Sequence, residues 1–364
     1  MNFLKSASST SYLGVDIGTS SIKLVELKEY KNKVVLVTYG YSSRIANDLT
    51  NVNKLNIKQT SEIIEGVADK ADVSSVRNVI ASLPTFTVFS SIIHLAGKLS
   101  KKDLDSAVQW EAKKVIPLPL NDIVLDWQRI GDHGPVAQEN SALKITSKKE
   151  PASPASNKIL ITGAPKNLIK SYVYTFKNLK YGLISLETEV FGLIRSLLGN
   201  DKATTMIVQS GASATNIFVI DKGVPVLSRS IDVGGLAITK AIGKSLNIDL
   251  DQAEQFKKDL TDDGTGLPKM IIDAISPILN EAKYILEVFS EKENVTIEKI
   301  ILTGGTALLT GLPEYLSNIL KMNVVVGDPW FRIAYPMELR PVLREVGPRM
   351  SVAIGLAMRE FDKE

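Results

Sequence analysis

The chain has 364 residues, and its 43 Lys and Arg against 40 Asp and Glu leave a net charge of only +3. That length predicts about two to three domains, and the charge excludes a general field for nucleic acid or a membrane surface unless a local patch supplies one. With no cysteine and only His94 and His133, disulfides, thiolate metal sites, cysteine nucleophiles and a His-rich metal site are excluded.

In chain order, the apolar and β-branched segments Tyr12–Val15, Ile22–Leu27 and Val34–Val37 predict three strands separated by polar or glycine-containing breaks. A helix over Ser61–Ala71 and strands over Val76–Leu83 and Thr87–Leu95 follow. Ser100 caps a helix whose Leu104, Val108, Ala112 and Val115 fall at helical spacing, and Pro117 and Pro119 end it. Ile123–Arg129 reads as a strand. Gly131–Asn157 is rich in Pro, Ser and charge, and predicts a long solvated, mobile loop. Strand Ile159–Thr162, helix Leu168–Asn178, strand Leu183–Leu186 and helix Phe191–Leu198 come next.

From Thr204 a meander is expected over Met206–Val208, Ile217–Ile220 and Val224–Ser228. Helices Leu236–Leu246, Leu250–Leu260 and Pro268–Ser290 precede strand Lys299–Leu302, which runs into Thr303-Gly304-Gly305. The chain closes with helix Leu312–Leu320, strand Val324–Val326 and helix Met350–Glu360.

One segment repeats. Val15 to Val25 aligns without a gap on Val208 to Phe218, so that Asp16 falls on Gln209 and Gly18 on Gly211. Each unit is strand, small-residue turn, strand, which predicts a duplicated α/β architecture with a cleft between its halves.

The first turn has the chemistry of a phosphate cradle. Gly18, Ser20 and Ser21 let backbone N–H groups approach an anion, Lys23 can neutralise it, and Asp16 can hold a hydrated Mg²⁺. The Gly304-Gly305 pair lets a nucleotide lie against the backbone after a strand. Gly234 and Gly235 feed a helix, and Glu254 and Lys257 share a helix face three residues apart. Alone, each is equally a plain turn, a helix cap or a surface ion pair. Their order and spacing together argue for more.

Val15-Asp16-Ile17-Gly18-Thr19-Ser20-Ser21-Ile22-Lys23-Leu24-Val25-Glu26-Leu27 resembles the first phosphate motif of the actin/Hsp70/FtsA superfamily, and its ending resembles the PilM family of the type IV pilus assembly platform. The segments Val115–Leu120 with Val124–Trp127, Arg229–Gly235 with Ala253–Lys257, Leu302–Leu312 and Ala353–Ala357 are similar to the same family. The resemblance spans nearly the whole chain outside the 131–157 loop.

It implies an actin-like (ribonuclease H-like) fold: a first lobe over 1–83 plus 182–203, an inserted partner-binding subdomain over 84–181, and a second lobe over 204–364. ATP and Mg²⁺ are the implied cofactors. Asp16 would meet the metal through water; Gly18, Thr19, Ser20, Ser21 and Lys23 would hold the β-phosphate side. Gly211, Ala212 and Ser213 would form the second phosphate turn, with Gly234 and Gly235 beside it. Glu254 and Lys257 would meet the ribose and adenine edge; Gly304, Gly305 and Thr306 would back the adenosine. Glu189, with Asp16, is the candidate catalytic group, positioning the attacking water. Gln209 departs from the family pattern, which has Asp there, and a neutral amide implies weak or absent hydrolysis.

The implied partner is the cytoplasmic N-terminal tail of a PilN-type inner-membrane protein, alongside other platform proteins and self-association. An FtsA-like division protein and an active ATPase or kinase are the alternatives. No apolar run nears the ~18 residues of a spanning helix and the N-terminus has no signal-peptide pattern, so a cytoplasmic protein reaching the inner membrane through a partner is expected. Trp110 and Trp127 are expected to anchor the insertion and Trp330 to pack at a loop, while His94, His133 and the Lys101-Lys102 and Lys113-Lys114 pairs are expected to be bland.

Overall fold

The computed structural model describes residues 10–42, 50–51, 54–73, 78–96, 100–131, 134–135, 156–260, 266–292 and 295–362. His133 and nearly all of the expected 131–157 loop lie outside them.

The first half opens with a meander of β1 (Ser11–Ile17), β2 (Ile22–Tyr30) and β3 (Lys33–Tyr41). The two-residue strands β4 (Thr50–Asn51) and β5 (Lys54–Leu55) lead into α1 (Ile57–Lys70), capped by Asn56, whose side chain accepts from the Gln59 N–H. Then comes β6 (Asn78–Leu83). An inserted layer follows: β7 (Phe89–Ala96), α2 (Lys101–Val115), β8 (Ile123–Gly131), β9 (Gly134–Pro135) and β10 (Ser156–Pro165). The chain returns through α3 (Lys166–Asn178), β11 (Gly182–Thr188) and α4 (Glu189–Leu193), which widens into a π turn over Ile194–Leu198.

The second half repeats the plan with β12 (Thr205–Ser210), β13 (Thr215–Asp221) and β14 (Val224–Ile231). Helices α5 (Gly235–Leu246), α6 (Leu250–Asp259) and α7 (Lys269–Lys292) precede β15 (Lys299–Thr303), α8 (Leu312–Leu320), β16 (Val324–Val326) and α9 (Arg340–Ala357).

The duplication is literal. One sheet runs β11-β6-β1-β2-β3 and the other β16-β15-β12-β13-β14. In both, a strand at the centre pairs antiparallel with the meander on one side and parallel with a later strand on the other. This is the two-lobed α/β architecture expected from the repeat.

Packing shifts two boundaries. α3, placed with the insertion by sequence, buries Leu168, Tyr172 and Phe176 against Leu13, Val15 and Ile64 of the first half. The inserted sheet, β7-β10-β8-β9, has its own core in Ile93, Leu104, Val108 and Ile159. α9 begins ten residues before the expected Met350, because Pro341 sits in its first turn, where no N–H is needed. It then crosses back to the first half, where Met350, Ala353 and Ile354 pack with Val25, Leu27 and Leu36.

That return demands close backbone contact. A Cβ on Gly14 of β1 would stand 2.0 Å from the Ala353 carbonyl oxygen, and one on Gly355 would stand 1.8 Å from that of Gly192 in α4. Trp330 is 2% exposed and donates its indole N–H to the Leu343 carbonyl, so it does pack at a loop. Trp110 anchors nothing: it is 61% exposed, with the Lys114 ammonium 3.3 Å from its ring centre.

Candidate nucleotide site

The β1–β2 hairpin sets Asp16 opposite Lys23. Asp16 is 3% exposed and accepts from Lys23 Nζ at 3.0 Å and from Ser82 Oγ at 2.9 Å. The turn closes with the Gly18 N–H donating to the Ser21 carbonyl, and a Cβ on Gly18 would press on Lys23 Nζ at 2.9 Å. Thr19, Ser20 and Ser21 line it, half-buried.

The β12–β13 hairpin sets Gln209 opposite Asn216, whose amide donates to Gln209 Oε1 at 3.2 Å. Its turn, Gly211-Ala212-Ser213, is clamped to the start of α5: the Gly235 and Leu236 N–H groups donate to the Gly211 and Ala212 carbonyls at 2.9 Å. Gly234 fits there because a Cβ would lie within 2.6 Å of the Gly211 oxygen. The two turns meet where Thr19 Oγ1 donates to Ser213 Oγ at 3.2 Å.

Beside the second turn, Gly304 takes φ 84 and presses on the Ser210 carbonyl, where a Cβ would stand 2.2 Å from the oxygen. Lys257 Nζ reaches Glu254 at 2.6 Å, Thr239 Oγ1 at 2.9 Å and the Gly235 carbonyl at 3.2 Å. Burial opposes ionisation of Glu254, yet hydrogen bonds from Lys257 and Thr239 hold its carboxyl below the usual range. This is no loose surface pair. Thr306, the next residue along the turn from Gly304 and Gly305, keeps its hydroxyl buried and without a partner among the described residues.

Glu189 opens α4 at the junction of the halves. One oxygen, Oε2, accepts from the Thr85 N–H at 3.2 Å, Thr85 Oγ1 at 2.5 Å and Asn216 Nδ2 at 3.0 Å. Burial, then the nearby Asp16 charge, push its pKa up to about 7 despite those bonds. The Tyr172 hydroxyl is buried against the same charges and makes no hydrogen bond among the described residues.

Thus the first turn touches the second, the second is clamped to Gly235, and Gly235 abuts Lys257 and Thr306. Thr85 and Asn216 were missed from sequence. Asn216 was findable, since the repeat aligns it with Lys23; Thr85 carries no local signal.

A model of the family described as type IV pilus assembly protein PilM matches residues 14–361. Among solved structures, a PilM–PilN type IV pilus biogenesis complex is 23% identical, covers 97% of this chain and 99% of that one, and has a TM-score of 0.79. MreB of Spiroplasma citri bound to AMPPNP is 12% identical with 97% coverage of both chains and a TM-score of 0.52. Among curated proteins, cell division protein FtsA of Rhizobium meliloti is 25% identical over 178 residues, which span 41% of this chain and 38% of that protein. The structural likenesses show an actin-like fold.

Proposed function

This chain belongs to the type IV pilus assembly protein PilM family, and on that premise we propose that it is an ATP-holding scaffold that recruits a PilN-type membrane protein. The observation that carries the nucleotide half of the reading is the contact of two glycine-bearing turns through Thr19 and Ser213, with Lys23 beneath one and the Glu254–Lys257 pair beyond the other. Gly18, Thr19, Ser20, Ser21 and Lys23 would take the β-phosphate side, and Gly211, Ala212 and Ser213 the opposite face. Gly234, Gly235, Glu254, Lys257, Gly304, Gly305 and Thr306 would hold the nucleoside end.

Among the described residues no three potential ligands cluster into a metal site. One buried carboxylate beside a phosphate turn suits Mg²⁺, which keeps several waters and binds mainly to phosphate oxygens. Asp16 would hold it through water, and the ion would supply charge neutralisation for the phosphates. Glu189 would orient water near the transferred group, but three donors already fix its Oε2, and Gln209 adds no charge. That geometry supports a reading of slow turnover.

The recruiting surface is assigned to the insertion. Trp110, Val115, Leu118 and Val124 are exposed there, an apolar display that suits a peptide tail. No described helix is long and apolar enough to cross a membrane, and the partner would bring the chain to the inner membrane. The FtsA-like alternative is not favoured, because the FtsA likenesses stay at 25% identity even where, as with the Neisseria meningitidis protein, they span 95% of this chain, whereas the PilM family model matches residues 14–361.

The test combines two measurements on the full chain. ATP with Mg²⁺ should raise the melting temperature, since a ligand of the folded state adds about 2.7 kcal/mol at 100 times its Kd. A pull-down from membranes should capture a PilN-type protein. No thermal shift removes the nucleotide reading, and capture of a division protein instead removes the pilus reading.

A further inference from the structure

Arg349 on α9 has no part in the assignments above, yet it lies against the nucleoside turn. The residue before it, Pro348, accepts from Thr303 Oγ1 at 2.9 Å and from the Gly304 N–H at 2.8 Å through its carbonyl. Those bonds lock the α9 backbone at Arg349 to the turn. A Cβ on Gly305 would meet only Arg349 within 4 Å, with Nε at 3.6 Å and Cγ at 3.9 Å. Apart from the turn's own residues, no other described atom comes that close to the bare backbone there.

Two groups at this spot want a ligand. The Arg349 side chain is half-buried and makes no hydrogen bond or ion pair among the described residues. A guanidinium has five donors and no acceptor, so partial burial without a partner is unfavourable. Independently, the Thr306 hydroxyl is buried and unpartnered; a Cβ on Gly235 would stand 3.2 Å from it and 3.5 Å from Lys257 Nζ.

We propose that Arg349 lays its guanidinium on the purine ring of the bound nucleotide and holds the base over Gly305, with Thr306 Oγ1 as the adjoining hydrogen-bonding group. The inference rests on the nucleotide reading above and names a base contact within it. A planar, weakly hydrated guanidinium stacks on a π face where an ammonium does not. The phosphate turns lie at Gly18–Ser21 and Gly211–Ser213, so the part of the ligand that reaches Gly305 is its nucleoside end. Because α9 packs on the first half while the turn belongs to the second, this contact also lets the base span both halves.

The experiment measures the affinities of ADP and of adenosine for the full chain by competition against a fluorescent ADP. Arg349→Ala should weaken both on the order of ten-fold, as expected for loss of one stacked cation. Arg349→Lys should weaken both nearly as much, since charge without the planar face is not enough. Asp16→Ala should weaken ADP in Mg²⁺ and leave adenosine unchanged. Equal affinity of wild type and both Arg349 variants overturns the proposal, and so does a loss confined to ADP, which would make Arg349 a phosphate contact. Melting without ligand checks each variant's fold, and either Arg349 variant suffices if the other fails to fold. Wild type binding neither compound would instead remove the nucleotide reading itself.

Discussion

Asp16 and Gln209 occupy the same register position of the two hairpins, each facing the residue that completes its pair: Lys23 for Asp16, Asn216 for Gln209. The first pair is an ion pair at 3.0 Å and the second an amide pair at 3.2 Å. At this register position the duplicated fold therefore presents charge from one half only.

Gln209→Asp should restore charge on the second side and speed single-turnover ATP hydrolysis about ten-fold or more, because placed charges act on the phosphoryl group and its metal in the transition state. Phosphate release from a stoichiometric complex is the readout. A variant no faster than wild type, or a wild-type rate near 1 per second, which is an ordinary enzyme rate, would defeat the scaffold account.

Lys23→Ala leaves the Asp16 carboxylate buried with Ser82 Oγ as its remaining donor among those described above. Removing one partner of a buried pair costs about 3 kcal/mol, so urea unfolding should show a loss of that order. ATP binding should weaken even in EDTA, since the ammonium acts on phosphate without the metal.

Glu189 gives the stability curve a sign. Its carboxyl titrates near 7 in the folded chain against an ordinary 4.5. Between those values the folded state keeps a proton that the unfolded chain has released, so stability falls as pH rises from about 4.5 to about 7 and levels off above. The full contribution is about 3 kcal/mol. Glu189→Gln, which keeps an acceptor for Thr85 and Asn216, should flatten that slope in denaturation series at pH 5 and 8. An unchanged slope would show that Glu189 is ionised throughout.

Gly355 at the α4–α9 crossing contrasts with Gly66 on α1. Gly355→Ala drives a methyl into the Gly192 carbonyl and should cost about 3 kcal/mol. Gly66→Ala, on the exposed face of α1 with nothing within 4 Å, should stabilise by about 0.5–1 kcal/mol. Melting temperatures of the two variants should move in opposite directions.

The sequence carried the local signals well. The hairpin repeat, the glycine turns and the helical spacing of Leu104, Val108 and Ala112 depend on neighbours a few residues away, and they reappear as strands, turns and the α2 face. What stayed hidden depends on distant chain. Proline is a helix-breaking residue type, yet Pro341 starts α9 and Pro348 offers its carbonyl to Thr303 and Gly304. The high pKa of Glu189 needs burial under the folded chain and the charge of Asp16, more than a hundred residues away. The exposure of Trp110 and the packing of α3 on the first half likewise follow from tertiary contacts that no window of sequence displays.

The return of α9 bears on how the protein is made. Val25, Leu27 and Leu36 are covered by Met350, Ala353 and Ile354, which are synthesised more than 300 residues later. A nascent first half on the ribosome therefore exposes one face of its sheet until α9 has been made, and cannot fold to completion ahead of the second. Chains released early, without α9, would carry that bare apolar face into the cell, where it is a target for chaperones and proteases.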